Sequence, residues 1–225
     1  MSTSTRKYEI KYNKKCRGGV PYPPIKIEVR KIKILRSIVS GIVKLYCIVV
    51  YKIEIKGIEN IPKEGPVIFC GNHRSFLDAI LLELYTPRRM RFMSKKELEK
   101  NKFLNFFVKL YDSIPVQRDA KDLTAIKESI KTLKNGGCLG IFPEGTRNGL
   151  EKSGEMKNGA TYIAIKTGAS IVPIGIKGKM KPFNKITVTY GEKIDYTEYA
   201  KQKLTKEIEE STTKQLKEAI IELTK

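Results

Sequence analysis

A single histidine, His73, occurs in the 225 residues, within Asn72-His73-Arg74-Ser75-Phe76-Leu77-Asp78. No other unperturbed side chain changes charge near neutral pH, so any reaction that needs an imidazole must use this one. Asp78 lies five positions on. In one continuous helix, residues five apart would point about 140° away from each other. With His73 in a loop ahead of the helix, the ring folds back over the helix start and meets the carboxylate. A carboxylate on one ring nitrogen fixes the tautomer, leaves the other lone pair facing outward and stabilises the imidazolium once a proton is taken. The pair is then a general base. The plainer reading is a loop histidine followed by an aspartate that only caps a helix.

The elements that would position this pair are legible around it. Pro66-Val67-Ile68-Phe69-Cys70 is a short apolar run after a Gly-Pro turn, read as a buried strand ended by Gly71. Ser75 with Asp78 three residues later resembles a capping box, so a helix is expected from Ser75, carrying Ala79, Ile80, Leu81, Leu82 and Leu84. A second strand, Cys138 to Phe142, follows a helical stretch from about Asp122 to Lys134 and runs into Pro143-Glu144-Gly145-Thr146-Arg147. Proline ends strand pairing, Gly145 permits a turn, and Glu144, Thr146 and Arg147 are offered at the strand's carboxyl end, where open α/β sheets bind ligands. The planar fork of Arg147 suits a phosphate. Taken alone, Pro-Glu-Gly is also an ordinary surface turn.

Together the segments resemble the glycerolipid acyltransferase family, specifically the bacterial 1-acyl-glycerol-3-phosphate acyltransferases. His73 to Asp78 is similar to that family's His-x4-Asp signature, and Phe142-Pro143-Glu144-Gly145-Thr146-Arg147 to its acceptor-binding motif. Two weaker blocks, Ile114-Pro115-Val116-Gln117-Arg118 and Ile171-Val172-Pro173-Ile174, stand in the family's order, and the resemblance spans about residues 50 to 195. It implies that His73 takes the proton from the sn-2 hydroxyl of lysophosphatidate, which attacks an acyl-carrier-protein or acyl-CoA thioester. Asp78 would orient His73, and Arg118 and Arg147 would hold the acceptor phosphate. The same resemblance assigns Glu144, Gly145 and Thr146 to acceptor binding. No cofactor is implied beyond the thioester co-substrate. Backbone N–H groups near the start of the helix after His73 are candidates for holding the oxyanion. Within the family the acceptor is open between lysophosphatidate, glycerol 3-phosphate and other lysolipids, with the phosphate-suited arginines favouring the first.

Other chemistries lack their parts. There is no Gly-x-Ser-x-Gly elbow, Walker loop or dinucleotide fingerprint. Cys70 lies three residues before His73, but its apolar strand favours a packed thiol over a nucleophile. One histidine and four scattered cysteines show no metal-ligand spacing, so no metal is expected, and the cysteines suit a reducing compartment.

A formal net charge of +20 points to an anionic partner: lipid headgroups, an acidic carrier protein or nucleic acid. The first 36 residues hold eleven basic and two acidic side chains and lead into the most apolar stretch of the chain. There, from Ile32 to Tyr51, Lys33, Arg36, Ser37, Ser40, Lys44, Cys47 and Tyr51 form one narrow stripe on a helix otherwise covered by Ile, Leu and Val. Lys44 would sit near the middle of any membrane span. The helix is therefore expected to lie in an anionic membrane surface, apolar face in the acyl region and Lys33, Arg36 and Lys44 near phosphates. A core helix or a true span with Lys44 snorkelling are the other readings. The apolar stretch begins too late for a secretory signal peptide, so the expected location is peripheral or monotopic at the cytoplasmic face of the cell membrane. A non-enzymatic binder of membranes or nucleic acid would explain the charge but leave the His-Asp pair without work, and no nucleic-acid-binding signature occurs.

The expected organisation is a basic arm over 1–31, the amphipathic helix over 32–51 and one acyltransferase domain over 52–225. Strand signals near Val67, Arg91, Ile114, Leu139, Ile171 and Ile186 alternate with helix signals near Leu81, Phe106, Ile126 and Ile163. This predicts a single layered α/β domain, a central mixed sheet flanked by helices and preceded by the membrane-surface helix. Phe103 to Tyr111 is more apolar than one buried face requires and suits core packing, with a groove for an acyl chain or contact with the bilayer as the other readings. From Glu198 the spacing of Leu204, Ile208, Leu216 and Ile220 predicts a C-terminal helix packed by one stripe.

Overall fold

Successive residues of the run Val67–Gly71 (β2) bury their side chains on opposite sides of a sheet that is covered on both faces, which is why the whole strand is apolar. Val67 and Phe69 join one core cluster, Ile68 and Cys70 the other. The computed structural model describes residues 25–117, 122–145, 156–200 and 202–225, with side chains from residue 31.

The sheet has seven strands: Lys52–Lys56 (β1), β2, Met90–Lys95 (β3), Ile114–Val116 (β4), Cys138–Ile141 (β5), Ser170–Lys177 (β6) and Lys185–Tyr190 (β7), in the order β1-β7-β6-β2-β5-β3-β4. It is mixed, as expected: β6 and β7 are antiparallel and every other neighbouring pair is parallel. Strand β1 is not among the sequence expectations. Its alternating Lys-Ile-Glu-Ile-Lys pattern is nonetheless that of an edge strand, with Ile53 opposite Ile186 and Ile55 opposite Val188 and charges at both ends.

The described helices are Ile25–Val50 (α1), Phe76–Tyr85 (α2), Lys102–Leu110 (α3), Leu123–Lys134 (α4), Gly159–Thr167 (α5) and Lys206–Glu222 (α6). Faces of α4, α5 and α6 cover one side of the sheet through Ala125, Leu133, Ile163, Leu216 and Ile220. The end of α1 and the face of α2 cover the other through Cys47, Leu81 and Leu82. The C-terminal helix starts at Lys206, later than Glu198. Thr197–Tyr199 is a short 3-10 turn, and Thr205 caps the helix proper by accepting the Ile208 N–H.

Helix α1 starts at Ile25, inside the segment read as an arm, and its orientation corrects the sequence reading. Arg36 pairs with Glu83 at 2.5 Å, Ser40 bonds the Tyr111 hydroxyl at 3.0 Å and Lys44 stands over the Tyr85 ring. Arg36 and Lys44 thus face the domain, because it presents a carboxylate, a hydroxyl and an aromatic face to receive the polar stripe. Ile38, Ile42, Leu45, Ile48 and Val49 point away, exposed by 54 to 68%. No helix among the described residues is long and apolar enough to cross a membrane.

Candidate active site

Parallel pairing of β2 with β5, Cys70 opposite Ile141, sets the carboxyl ends of the two strands side by side. Residues 71 positions apart meet there. The Glu144 carboxylate accepts the backbone N–H of His73 at 2.9 Å, and the His73 ring stacks on Phe142 with centroids 4.1 Å apart and planes 18° from parallel. Phe142 in turn lies parallel to Phe92 of β3, so the imidazole is the last member of a short aromatic stack.

On its other side the ring is held by Asp78. Ser75 caps α2 with a complete capping box, so that Asp78, in the first turn, is turned back over the helix start. One carboxylate oxygen, Oδ2, accepts the N–H of Arg74 at 2.6 Å and of Ser75 at 2.7 Å, and lies 3.2 Å from His73 Nδ1. Asp78 is wholly buried, beside amides and a helix N-terminus that favour its negative charge. With Nδ1 committed to Asp78, Nε2 is the nitrogen left to the cavity that His73 lines.

Asn72 fixes the loop from below. Its amide donates to the Ile176 carbonyl at 2.9 Å and its carbonyl accepts the Ile176 N–H at 2.7 Å, continuing the β2–β6 ladder by a side chain where the strand ends. Sequence reading assigned no role to Asn72 or to Phe142 as a platform. The only signal was their adjacency to His73 and Glu144, since both roles depend on a partner far along the chain.

The geometry removes four of the amides near the helix start from the candidate oxyanion donors. The N–H groups of Arg74 and Ser75 go to Asp78, that of Leu77 to the Ser75 hydroxyl and that of Asp78 to the Ser75 carbonyl. Those four amides of the turn are already spent. Cys70 is fully buried, and burial pushes its thiol far above the usual range, as suits a packed rather than a nucleophilic thiol.

The cavity beside His73 encloses about 900 Å³, with Phe76, Ile80, Phe107 and Ile163 among its apolar walls. Gly145 borders it, in the left-handed region at φ 66°, with its N–H bonded to the Phe142 carbonyl in a tight turn. Lys157, which no motif marked, also borders the cavity and donates its backbone N–H to the Pro143 carbonyl. Of the residues singled out from the sequence, His73, Asp78, Glu144 and Gly145 are brought together. Arg118, Thr146 and Arg147 lie outside the described residues. Gln117 and Asp122 flank the segment that holds Arg118, Gly145 and Lys157 stand near the ends of that holding Thr146 and Arg147, and all four border the cavity. Among the described residues no three His, Cys, Asp or Glu side chains converge as a metal site.

A histidine held by a buried aspartate and lining a largely apolar cavity, on the carboxyl edge of an α/β sheet, is an arrangement for deprotonating a ligand that carries an apolar part. The Acyltransferase family model matches residues 52–177, more than half of the chain, and the chain belongs to that family. It is 30% identical over 154 residues to the 1-acyl-sn-glycerol-3-phosphate acyltransferase of Bacillus subtilis, covering 66% of this chain and 76% of that one. It is 34% identical over 134 residues to a chloroplastic enzyme of the same description from Arabidopsis thaliana, covering 58% of this chain but only 37% of the plant protein. The crystal structure of the 1-acyl-sn-glycerophosphate acyltransferase PlsC from Thermotoga maritima superposes with a TM-score of 0.61 at 25% identity, covering 89% of this chain and 83% of that one.

Proposed function

We propose that the protein transfers a fatty acyl group from an acyl thioester to the sn-2 hydroxyl of 1-acyl-glycerol 3-phosphate, forming phosphatidate at a membrane surface. The observation that carries this reading is the His73–Asp78 pair, 3.2 Å apart, opening on a large apolar cavity. In the proposed reaction His73 Nε2 removes the hydroxyl proton as the oxygen attacks the thioester carbonyl. The carbon–sulfur bond of the tetrahedral intermediate then breaks, and the thiolate takes the proton back from the imidazolium. Asp78 stabilises that imidazolium and, through the Arg74 and Ser75 amides, is itself held in place. Glu144 anchors the His73 backbone and, with Gly145 and Thr146, contacts the acceptor, whose phosphate Arg118 and Arg147 hold. The thioester is carried by acyl-carrier protein or coenzyme A, and no other cofactor is required.

The names of the relatives support lysophosphatidate as acceptor. The outward apolar face of α1 and the +20 charge support residence on an anionic bilayer, as a peripheral or monotopic protein at its cytoplasmic face, rather than on nucleic acid. Membranes bearing the protein, given labelled acyl-CoA or acyl-carrier protein and a panel of lysophosphatidate, glycerol 3-phosphate and other lysolipids, should form phosphatidate fastest from lysophosphatidate. His73→Ala should lower that rate by about 10²–10⁴-fold while leaving the fold intact. A near-normal rate in the variant would remove His73 from the mechanism. No product with either donor, together with salt-sensitive nucleic-acid binding, would favour a non-enzymatic binder.

A further inference from the structure

The connection from β6 to β7 carries a residue that neither packing nor backbone conformation favours. In the turn Lys181-Pro182-Phe183-Asn184 the Asn184 N–H donates to the Lys181 carbonyl at 3.2 Å, and Phe183 takes a φ of 63°. Proline second and a positive φ third is the pattern of a type II turn, whose third position suits glycine or asparagine. A phenylalanine there is strained, and residues held in this way gather at functional sites. Burial does not offset the strain. The Phe183 side chain is 74% exposed, more than any other large apolar side chain among the described residues.

This connection is tied both to α1 and to the catalytic loop. Phe183 donates its N–H to the carbonyl of Val50, the last residue of α1, at 2.6 Å, and Met180, Val43 and Val50 pack against the same core cluster. The ring therefore adjoins the helix end that exposes Leu45, Ile48 and Val49. On the other side Arg74, next to His73, donates to the Gly178 carbonyl at 3.4 Å. Lys179 and Lys181 are exposed on the same connection and have no ion pair among the described residues. An exposed aromatic ring beside unpaired cations complements an anionic bilayer, where the ring enters the acyl boundary and the ammonium groups meet headgroup phosphates. Continuity with the outward apolar face of α1 favours a bilayer over an acidic protein as the partner.

We propose that the connection over 178–184 is a second membrane contact, in which Phe183 enters the acyl boundary of an anionic leaflet while Lys179 and Lys181 engage its phosphates. A helix lying in the interface leaves the domain free to rock about the helix axis. The second contact restrains that motion and, through Gly178 and Arg74, sets how the His73 loop faces the bilayer. This rests on the membrane reading of α1 above.

The chain has no tryptophan, so one introduced residue reports alone. In the full-length chain mixed with vesicles of phosphatidylglycerol and phosphatidylcholine, Phe183→Trp should shift its emission to the blue and be quenched by bromine atoms on the lipid chains, as should Leu45→Trp on α1. Phe183→Gly should weaken partition onto these vesicles by about tenfold, the effect of losing one buried phenyl ring. Its Tm should be unchanged or higher, because glycine adopts a positive φ without strain. Lys179→Gln with Lys181→Gln should also weaken partition and flatten its dependence on salt. A quenched Leu45→Trp with Phe183→Trp still in water, or undiminished partition of Phe183→Gly, would overturn the second contact and leave α1 as the anchor. An emission change of Phe183→Trp with acyl-carrier protein but not with vesicles would give the connection to that protein and equally overturn the proposal. Both tryptophans untouched by lipid would bring down the membrane reading of α1 as well.

Discussion

At the scale of single residues, the site depends on one carboxylate oxygen serving three donors. Asp78 Oδ2 closes the loop by accepting two amides and fixes the only imidazole of the chain. Asp78→Asn retains the shape but loses the charge and presents an N–H where a lone pair is required. Turnover should fall by at least about 10²-fold, and stability by about 1–3 kcal/mol because charge-assisted bonds in a buried turn are lost. Steady-state kinetics with thermal unfolding measures both, and an unchanged kcat would show that the aspartate is only a cap. This pair was legible from spacing because the capping box, a local hydrogen-bonding pattern, dictates it. Asn72 and Phe142 were not, since their partners, Ile176 and His73, lie 104 and 69 positions away.

Elements also shape the border of the cavity, and Asp122 shows how. Its carboxylate accepts the Gln117 N–H at 2.9 Å and caps α4 through the N–H groups of Thr124 and Ala125, tying together both ends of the segment that contains Arg118. The amide of Gln117, and then that of Ala125, hold its carboxyl below the usual aspartate range. A carboxylate with a depressed folded pKa contributes stability above its unfolded pKa and loses it as pH falls through the folded value. Asp122→Asn should therefore melt below the wild type at neutral pH, and the difference in Tm should narrow as acid protonates the wild-type residue. A difference that stays constant across the acid range would contradict the assignment. Strand β1 lies at the same scale. Its two-residue alternation was present in the sequence, but a strand is recognisable as such only when β7, 133 residues later, offers the matching register.

On the scale of the whole molecule, α1 decides how the domain meets its surroundings. Its apolar arc is too wide for the edge of the domain to cover, so the polar stripe is satisfied against Glu83 and Tyr111 and the arc is left outward. Combined with +20 of charge, this suits insertion into the outer part of an anionic leaflet. Replacing Leu45 and Val49, 64% and 68% exposed, with Glu should abolish flotation with anionic vesicles. The unfolding free energy should change by only about 0.5 kcal/mol, because nothing in the domain packs on either residue. Undiminished flotation would place the principal membrane contact elsewhere.

Residue types, the five-position spacing of His73 and Asp78, the helix caps and the apolar strands were determined by the sequence alone, because each rests on contacts within a few residues or on the period of one element. Three things were decided only by the tertiary structure: that β2 and β5 lie side by side and bring Glu144 to His73, that α2 and α3 border the same cavity as His73, and that α1 turns Arg36 and Lys44 toward the domain. Periodicity states that a helix or strand has two faces. Which neighbour each face receives follows from the joint burial of segments far apart in the chain, and no local pattern encodes it.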